Sequence, residues 1–178
     1  MCIRDSKKLG GAFIFDKKSP GKPVIRAVSS GATDADMEHL KGLTSLQTLM
    51  LGSTKVTDTG LEHLKGLKSL KELRVFTINV ADNVNVTDNG LTHLKGLKSL
   101  QMLNLSGYQV TDAGLEHFKE LTSLEDLILM NTEVTGSGLL HLKGLTNLQT
   151  LNLGSARVTD IGLVHLKELT GLRSLSIG

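Results

Sequence analysis

The chain holds one cysteine, two prolines, no tryptophan and only 3% aromatic residues among its 178. A lone cysteine, Cys2, excludes an internal disulfide framework and any zinc site built on paired thiolates. Scarce aromatics leave no platform on which bases stack, and a formal net charge of +2 exerts no strong pull toward nucleic acid or acidic membranes. No apolar run nears the roughly 18 residues that insert across a bilayer. Both prolines, Pro20 and Pro23, lie near the start, so nothing interrupts the remainder of the chain. What the chain has in abundance is leucine, and it comes at fixed intervals.

Aligned on Thr-Asp, the positions Thr33, Thr57, Thr87, Thr111, Thr135 and Thr159 are separated by 24, 30, 24, 24 and 24 residues. Only Thr135 is followed by a different residue, Gly136. A constant period in this range means stacked supersecondary units. Within one unit, "DAGLEHFKEL" places Leu115, Phe118 and Leu121 at i, i+3 and i+6, which predicts one face of a single short helix with Asp112 at its N-cap. In "LEDLILMN" the period drops to two: Leu127 and Leu129 point one way, and Asp126, Ile128 and Met130 the other. That is a short strand. One parallel strand per unit, joined by a helical return, closes into a curved solenoid.

The segments "LTSLEDLILMNTEV", "LTNLQTLNLGSARV" and "LKSLQMLNLSGYQV" resemble the leucine-rich repeat. The neighbouring "VTDxGLxHLKGL" pattern is similar to the variant common in bacterial, especially planctomycete, repeat proteins, related to the cysteine-containing class. The resemblance covers residues 33–178 and implies an α/β fold: a right-handed horseshoe arc with a parallel sheet on its concave face and short helices on its convex face. It also implies a non-enzymatic interaction module, although the family binds many unrelated partners. The family's ladder position after the strand holds Thr54, Tyr108, Thr132 and Ala156, so Tyr108 and Ala156 interrupt a polar ladder.

This register divides the chain into three regions. Residues 1–6, "MCIRDS", read as the translated end of a transposase sequencing adaptor and are set apart from the fold. Residues 7–32 are expected to form an N-terminal cap, with apolar stretches Ala12–Phe15 and Val24–Val28 flanking a hairpin turn. Residues 33–178 carry six helix–strand units, the last expected to be truncated, and a six-residue insertion falls within 74–85. That insertion reads equally as a binding loop or as a tolerated surface excursion. Its Asp82, Asn83 and Asn85 lack the spacing of a calcium loop.

Six histidines recur in one slot: His39, His63, His93, His117, His141 and His165. A shared metal would require neighbouring rings to converge at about 2.0–2.1 Å, and no Asp, Glu or Cys recurs beside them to complete a shell. The expectation is architectural, each ring hydrogen-bonding the adjoining unit, with a collective pH response as the lesser alternative. The lysines two residues on, Lys41 through Lys167, are diluted by Glu62, Glu116, Glu120 and Glu168 and read as a solvated helix face. The glycine of each "TDxGL" has no Lys-Ser/Thr phosphate signature beside it and is expected to permit close packing between turns.

The outward strand positions are where such solenoids bind partners. Here the candidates are Met50, Glu72, Arg74, Phe76, Met102, Asn104, Asp126, Ile128, Met130 and Asn152. The apolar members are expected to form a strip suited to a protein or peptide. No catalytic triad, carboxylate pair, nucleotide loop or cofactor motif is evident, so no enzymatic role is expected. The alternative is the recognition segment of a larger signalling receptor or enzyme, such as a kinase or ubiquitin-ligase-like effector. A glycan binder would want more aromatic platforms than Phe76 alone.

Overall fold

The computed structural model describes residues 11–76 and 86–177. Eight strands form one sheet in sequence order. β1 (Ala12–Phe15) pairs antiparallel with β2 (Val24–Ser30). From β2 onward all pairings are parallel: β3 (Thr48–Gly52), β4 (Glu72–Phe76), β5 (Met102–Asn104), β6 (Asp126–Ile128), β7 (Thr150–Leu153) and β8 (Ser174–Ile177). The proposed adaptor residues 1–6 and most of the 74–85 insertion, including Asp82, Asn83 and Asn85, lie outside the described residues.

The register never slips between units: Thr48 faces Glu72, then Met102, Asp126, Thr150 and Ser174. A shared carbonyl starts each pairing. The Gln47 oxygen accepts from the N–H of both Lys71 and Glu72, at 2.8 and 2.9 Å, and Lys71, Gln101, Glu125 and Gln149 repeat the arrangement. At the far end the chain turns out of the sheet through a left-handed residue after β2, β3, β5, β6 and β7: Gly31, Ser53, Gly107, Asn131 and Ser155. Small or turn-forming residues suit this slot because a branched side chain there would strain the backbone.

The return segments are single turns: α1 (Asp34–Glu38), α2 (Asp58–Glu62), α3 (Asp88–Leu91), α4 (Asp112–Leu115) and α5 (Asp160–Leu163). α4 and α5 tighten into 3-10 helix at Glu116–Phe118 and Val164–Glu168, and the segment Gly136–Leu142 between them is 3-10 throughout. The expected single short α-helix thus stands in the first three units, and is corrected in the last three. A spacing of i, i+3, i+6 is the three-residue repeat of a 3-10 turn, and leucines at that interval stay in line only if the coil tightens. Strands sit roughly 4.8 Å apart and the bulkier helical returns occupy the other side, so the stack bends with the sheet inside the arc.

Leucine fills the space between. Leu61, Leu64, Leu67, Leu70, Leu73 and Val75 are fully buried, as are their counterparts through Leu153. Each such side chain contributes about 1.5–3 kcal/mol of apolar transfer. At one end Phe13 and Phe15 of β1 pack against this core. At the other, every residue of β8 is exposed, including Leu175 and Ile177.

The helix starts hold the stack together through a device that differs from the expected cap. Thr111, not Asp112, is the N-cap, its hydroxyl accepting from the Ala113 N–H. Asp112 instead reaches into the next unit, where its two oxygens accept from the N–H and the hydroxyl of Thr135. The same pair of bonds joins Asp34 to Thr57, Asp58 to Thr87 and Asp88 to Thr111, at 2.6 to 2.9 Å. The glycine of "TDxGL" makes room for it. A Cβ on Gly60, Gly90, Gly114 or Gly138 would overlap the Oδ1 of the preceding unit's aspartate. Where Gly136 replaces the aspartate, Gly162 packs so directly on it that a Cβ on either would overlap the other's backbone.

Burial raises the Asp112 carboxyl, but hydrogen bonds from Ser137, Thr135 and Gly138 outweigh it, and the net shift is downward. A depressed folded value stabilises the protein above the ordinary carboxylate range of about pH 4 and ceases to do so as pH falls through it. Thermal melts between pH 7 and pH 2 are therefore expected to fall more steeply at the acid end for the wild type than for Asp112→Asn.

Candidate interaction surface

Alternation along each strand sends Leu49, Leu51, Leu73 and Val75 into the core and leaves Thr48, Met50, Glu72, Arg74 and Phe76 half-buried on the open sheet face. Parallel register then sorts the candidates into rows. The first row runs Arg26, Thr48, Glu72, Met102, Asp126, Thr150 and Ser174. The second runs Val28, Met50, Arg74, Asn104, Ile128, Asn152 and Ser176. Gly52 and Phe76 face each other in a third, and Met130 and Gly154 lie just past the ends of β6 and β7.

The expected apolar strip is therefore not one strip. Met50 and Phe76 are diagonal neighbours on β3 and β4. Met102, Ile128 and Met130 make a second group on β5 and β6. The polar pair Arg74 and Asn104 separates Met50 from Ile128 within their row. The split comes from register: Met102 sits one row away from Met50, although both are strand residues of the same parity.

Several candidates are held in place by their neighbours. Arg74 Nε donates to Glu72 Oε1 at 2.6 Å, and Arg26 Nη2 to the Met50 sulfur at 3.1 Å. The Phe76 ring lies over Gly52, where an added Cβ would stand 3.2 Å from its Cζ, and Met130 lies beside Gly154. Asn104 accepts from the Ser106 N–H and hydroxyl, and Asn152 from the Gly154 N–H, so both side-chain oxygens shape the turn that ends their strands. Arg26 and Val28 are members of this face that repeat alignment missed, because β2 precedes the first Thr-Asp unit.

The Thr54 hydroxyl accepts from the Val56 N–H and that of Thr132 donates to the Leu129 carbonyl, so each of these threonines serves its own turn. Tyr108 is buried in the same slot. Burial pushes its hydroxyl up to about 12, with Thr54 alongside pulling the other way, though no well-formed hydrogen bond reaches it among the described residues.

The histidines depart from expectation. Among the described residues no imidazole hydrogen-bonds the adjoining unit; the rings stand half-buried, His39 exposed, with His39 and His63 near Glu38, His63 and His93 near Glu62, and His117 and His141 near Glu116. The slot lies at the helix rim, where water reaches the ring and can satisfy its nitrogens. Among the described residues no group of three or more His, Cys, Asp or Glu is placed to hold a metal ion. No helix there is long and apolar enough to cross a membrane.

A sequence model of the leucine-rich repeat family matches residues 42–65 and 144–169. No curated protein matches the sequence. Among solved structures, an internalin (inlF) of Listeria monocytogenes superposes with a TM-score of 0.71 at 29% identity, covering 86% of this chain and 40% of the internalin. Internalin C2 (inlC2) of the same organism superposes with a TM-score of 0.53 at 20% identity, covering 87% of this chain and 81% of that one, a likeness of fold. This chain thus spans less than half the length of the first internalin. With seven parallel strands in unbroken register, a leucine core repeated from turn to turn and matches to the family at two separate places, this chain carries leucine-rich repeats and has the leucine-rich repeat fold.

Proposed function

We propose that the open sheet face binds a protein or extended peptide, and that the segment has no enzymatic role of its own. The observation that carries this is the pair of apolar groups on one sheet face, Met50 with Phe76 and Met102 with Ile128, all half-buried, the second extended by the exposed Met130 just past β6. Phe76 and Met130 lie two strands apart, roughly 10 Å, the reach of about three residues of extended chain. A ligand crossing the strands with apolar side chains at that interval engages both groups. The Glu72–Arg74 pair and Asp126 beside them add direction to the contact through charge. Internalin-like architecture supports an interaction role.

Selection from a displayed library of random twelve-residue peptides tests this reading. Ligands of the wild type are expected to carry paired apolar residues and to bind the double variant Met102→Lys/Met130→Lys at least about tenfold more weakly, as loss of central anchors entails. Circular dichroism is expected to be unchanged, because Met102 and Met130 lie outside the core. Undiminished binding by the double variant would remove this face from consideration. The second reading, a recognition segment within a larger receptor or enzyme, uses the same face and is tested by the full reading frame.

A further inference from the structure

The convex face carries a histidine and, two residues on, a lysine in every unit. Glu38 feels the imidazoles of His39 and His63, Glu62 those of His63 and His93, and Glu116 those of His117 and His141. The rings therefore form a column running across the helices. At the two remaining junctions the glutamate slot holds Thr92 and Leu140, so His117 and His165 meet no carboxylate from the preceding slot.

Four carboxylates of this face already serve lysines. Lys41, Lys65 and Lys119 pair with Glu38, Glu62 and Glu116 at 2.8, 2.8 and 3.0 Å, and Lys98 with Glu120 at 3.4 Å. Lys95, Lys143 and Lys167 have no ion pair among the described residues. Beside the column a depression of about 230 Å³ is lined by Lys95, Glu116, His117, Lys119 and Glu120, all of them ionisable. His165 has Lys167 and Glu168 on its own segment, and His141 has Lys143.

With neutral rings the cations of this face without an ion pair among the described residues include Lys95, Lys143 and Lys167. Protonating the six histidines adds six positive charges to a chain whose formal charge is +2, in a place where carboxylates are already shared. Imidazole ordinarily gains its proton between pH 8 and pH 5. We propose that the histidine–lysine column is an acid-gated binding stripe for a flexible polyanion bearing repeated phosphate or sulfate groups. A flexible polymer sets an anion against each unit in turn, and many weak contacts add up through counterion release. The scarcity of aromatics disfavours stacked nucleobases as the ligand. The stripe lies on the opposite side from the proposed peptide face, so either reading can fail alone.

Binding of fluorescent long-chain polyphosphate and of heparin at pH 5.5 and pH 7.5, in low salt, tests the proposal. At least one polymer is expected to bind about tenfold or more tightly at pH 5.5, with an affinity that falls steeply as salt rises. Preference for one polymer identifies phosphate or sulfate as the group recognised. The variant H63Q/H93Q/H117Q/H141Q is expected to lose the pH difference while melting normally at pH 7.5. The variant E38Q/E62Q/E116Q, altered only at exposed or half-buried positions, is expected to bind several-fold more tightly than wild type at pH 7.5. Equal binding at both pH values with both polymers would overturn the proposal, as would a pH difference that survives the histidine substitutions. Should the histidine variant fail to fold, unchanged binding by the glutamine variant at pH 7.5 would overturn it.

Discussion

Replacing Asp88 with alanine is expected to lower unfolding stability by about 2–3 kcal/mol, as loss of two hydrogen bonds to a charged acceptor entails. The carboxylate accepts from the Thr111 N–H at 2.9 Å and its hydroxyl at 2.6 Å, and without it the amide has lost its partner. Gly114→Ala alone is expected to destabilise comparably, because the new Cβ overlaps Asp88 Oδ1 and displaces the carboxylate. The double variant is the decisive case. Once the carboxylate is gone, the Gly114 Cβ meets chiefly the end of the Leu91 side chain, which can shift. Alanine is also the better helix former by up to about 1 kcal/mol, so Gly114→Ala should be neutral or stabilising in the Asp88→Ala background. Urea denaturation of all four proteins closes the cycle. Additive losses would show that glycine serves some purpose other than admitting the aspartate.

Phe118→Ala is expected to cost about 3–5 kcal/mol, whereas Phe118→Leu should cost less than about 1.5 kcal/mol. Phe118 is fully buried, and its slot is filled by Leu64, Leu94 and Leu142 in other units, also fully buried. The slot therefore accepts leucine without rebuilding the turn. Alanine leaves a cavity that two neighbouring units must close around. Because each unit touches only its neighbours, the deficit should appear as earlier loss of the central units rather than a uniform shift. Chemical denaturation of both variants, read by far-ultraviolet circular dichroism, checks this. Equal losses for alanine and leucine would mean that ring-specific contacts, rather than filled volume, hold the site.

Much of the architecture was legible in the sequence because a period of 24 residues imposes its own register. The parallel sheet, the inward leucines and the outward strand positions all come from counting. Two things escaped for the same physical reason: they depend on what lies in the next unit. Asp112 looks like an N-cap within its own segment, and only the stacked neighbour reveals that Thr135 is its partner. A signal was present, since Gly136, the one departure from aspartate in that slot, sits one unit before Gly162. Likewise Met50 and Met102 share strand parity, but their rows are set by pairing between strands. The tightening to 3-10 turns was written in the three-residue leucine interval, and was hidden because a short run at that interval also suits one face of an α-helix.

The missing aspartate at Gly136 has a bearing on how the arc comes apart. Each earlier seam is riveted on the helix side by a carboxylate, whereas this one relies on bare backbone pressed against backbone. A stack of coupled units parts where adhesion between two of them is weakest. The junction of Gly136 with Gly162 is therefore the one expected to part before the riveted ones when the stack is strained.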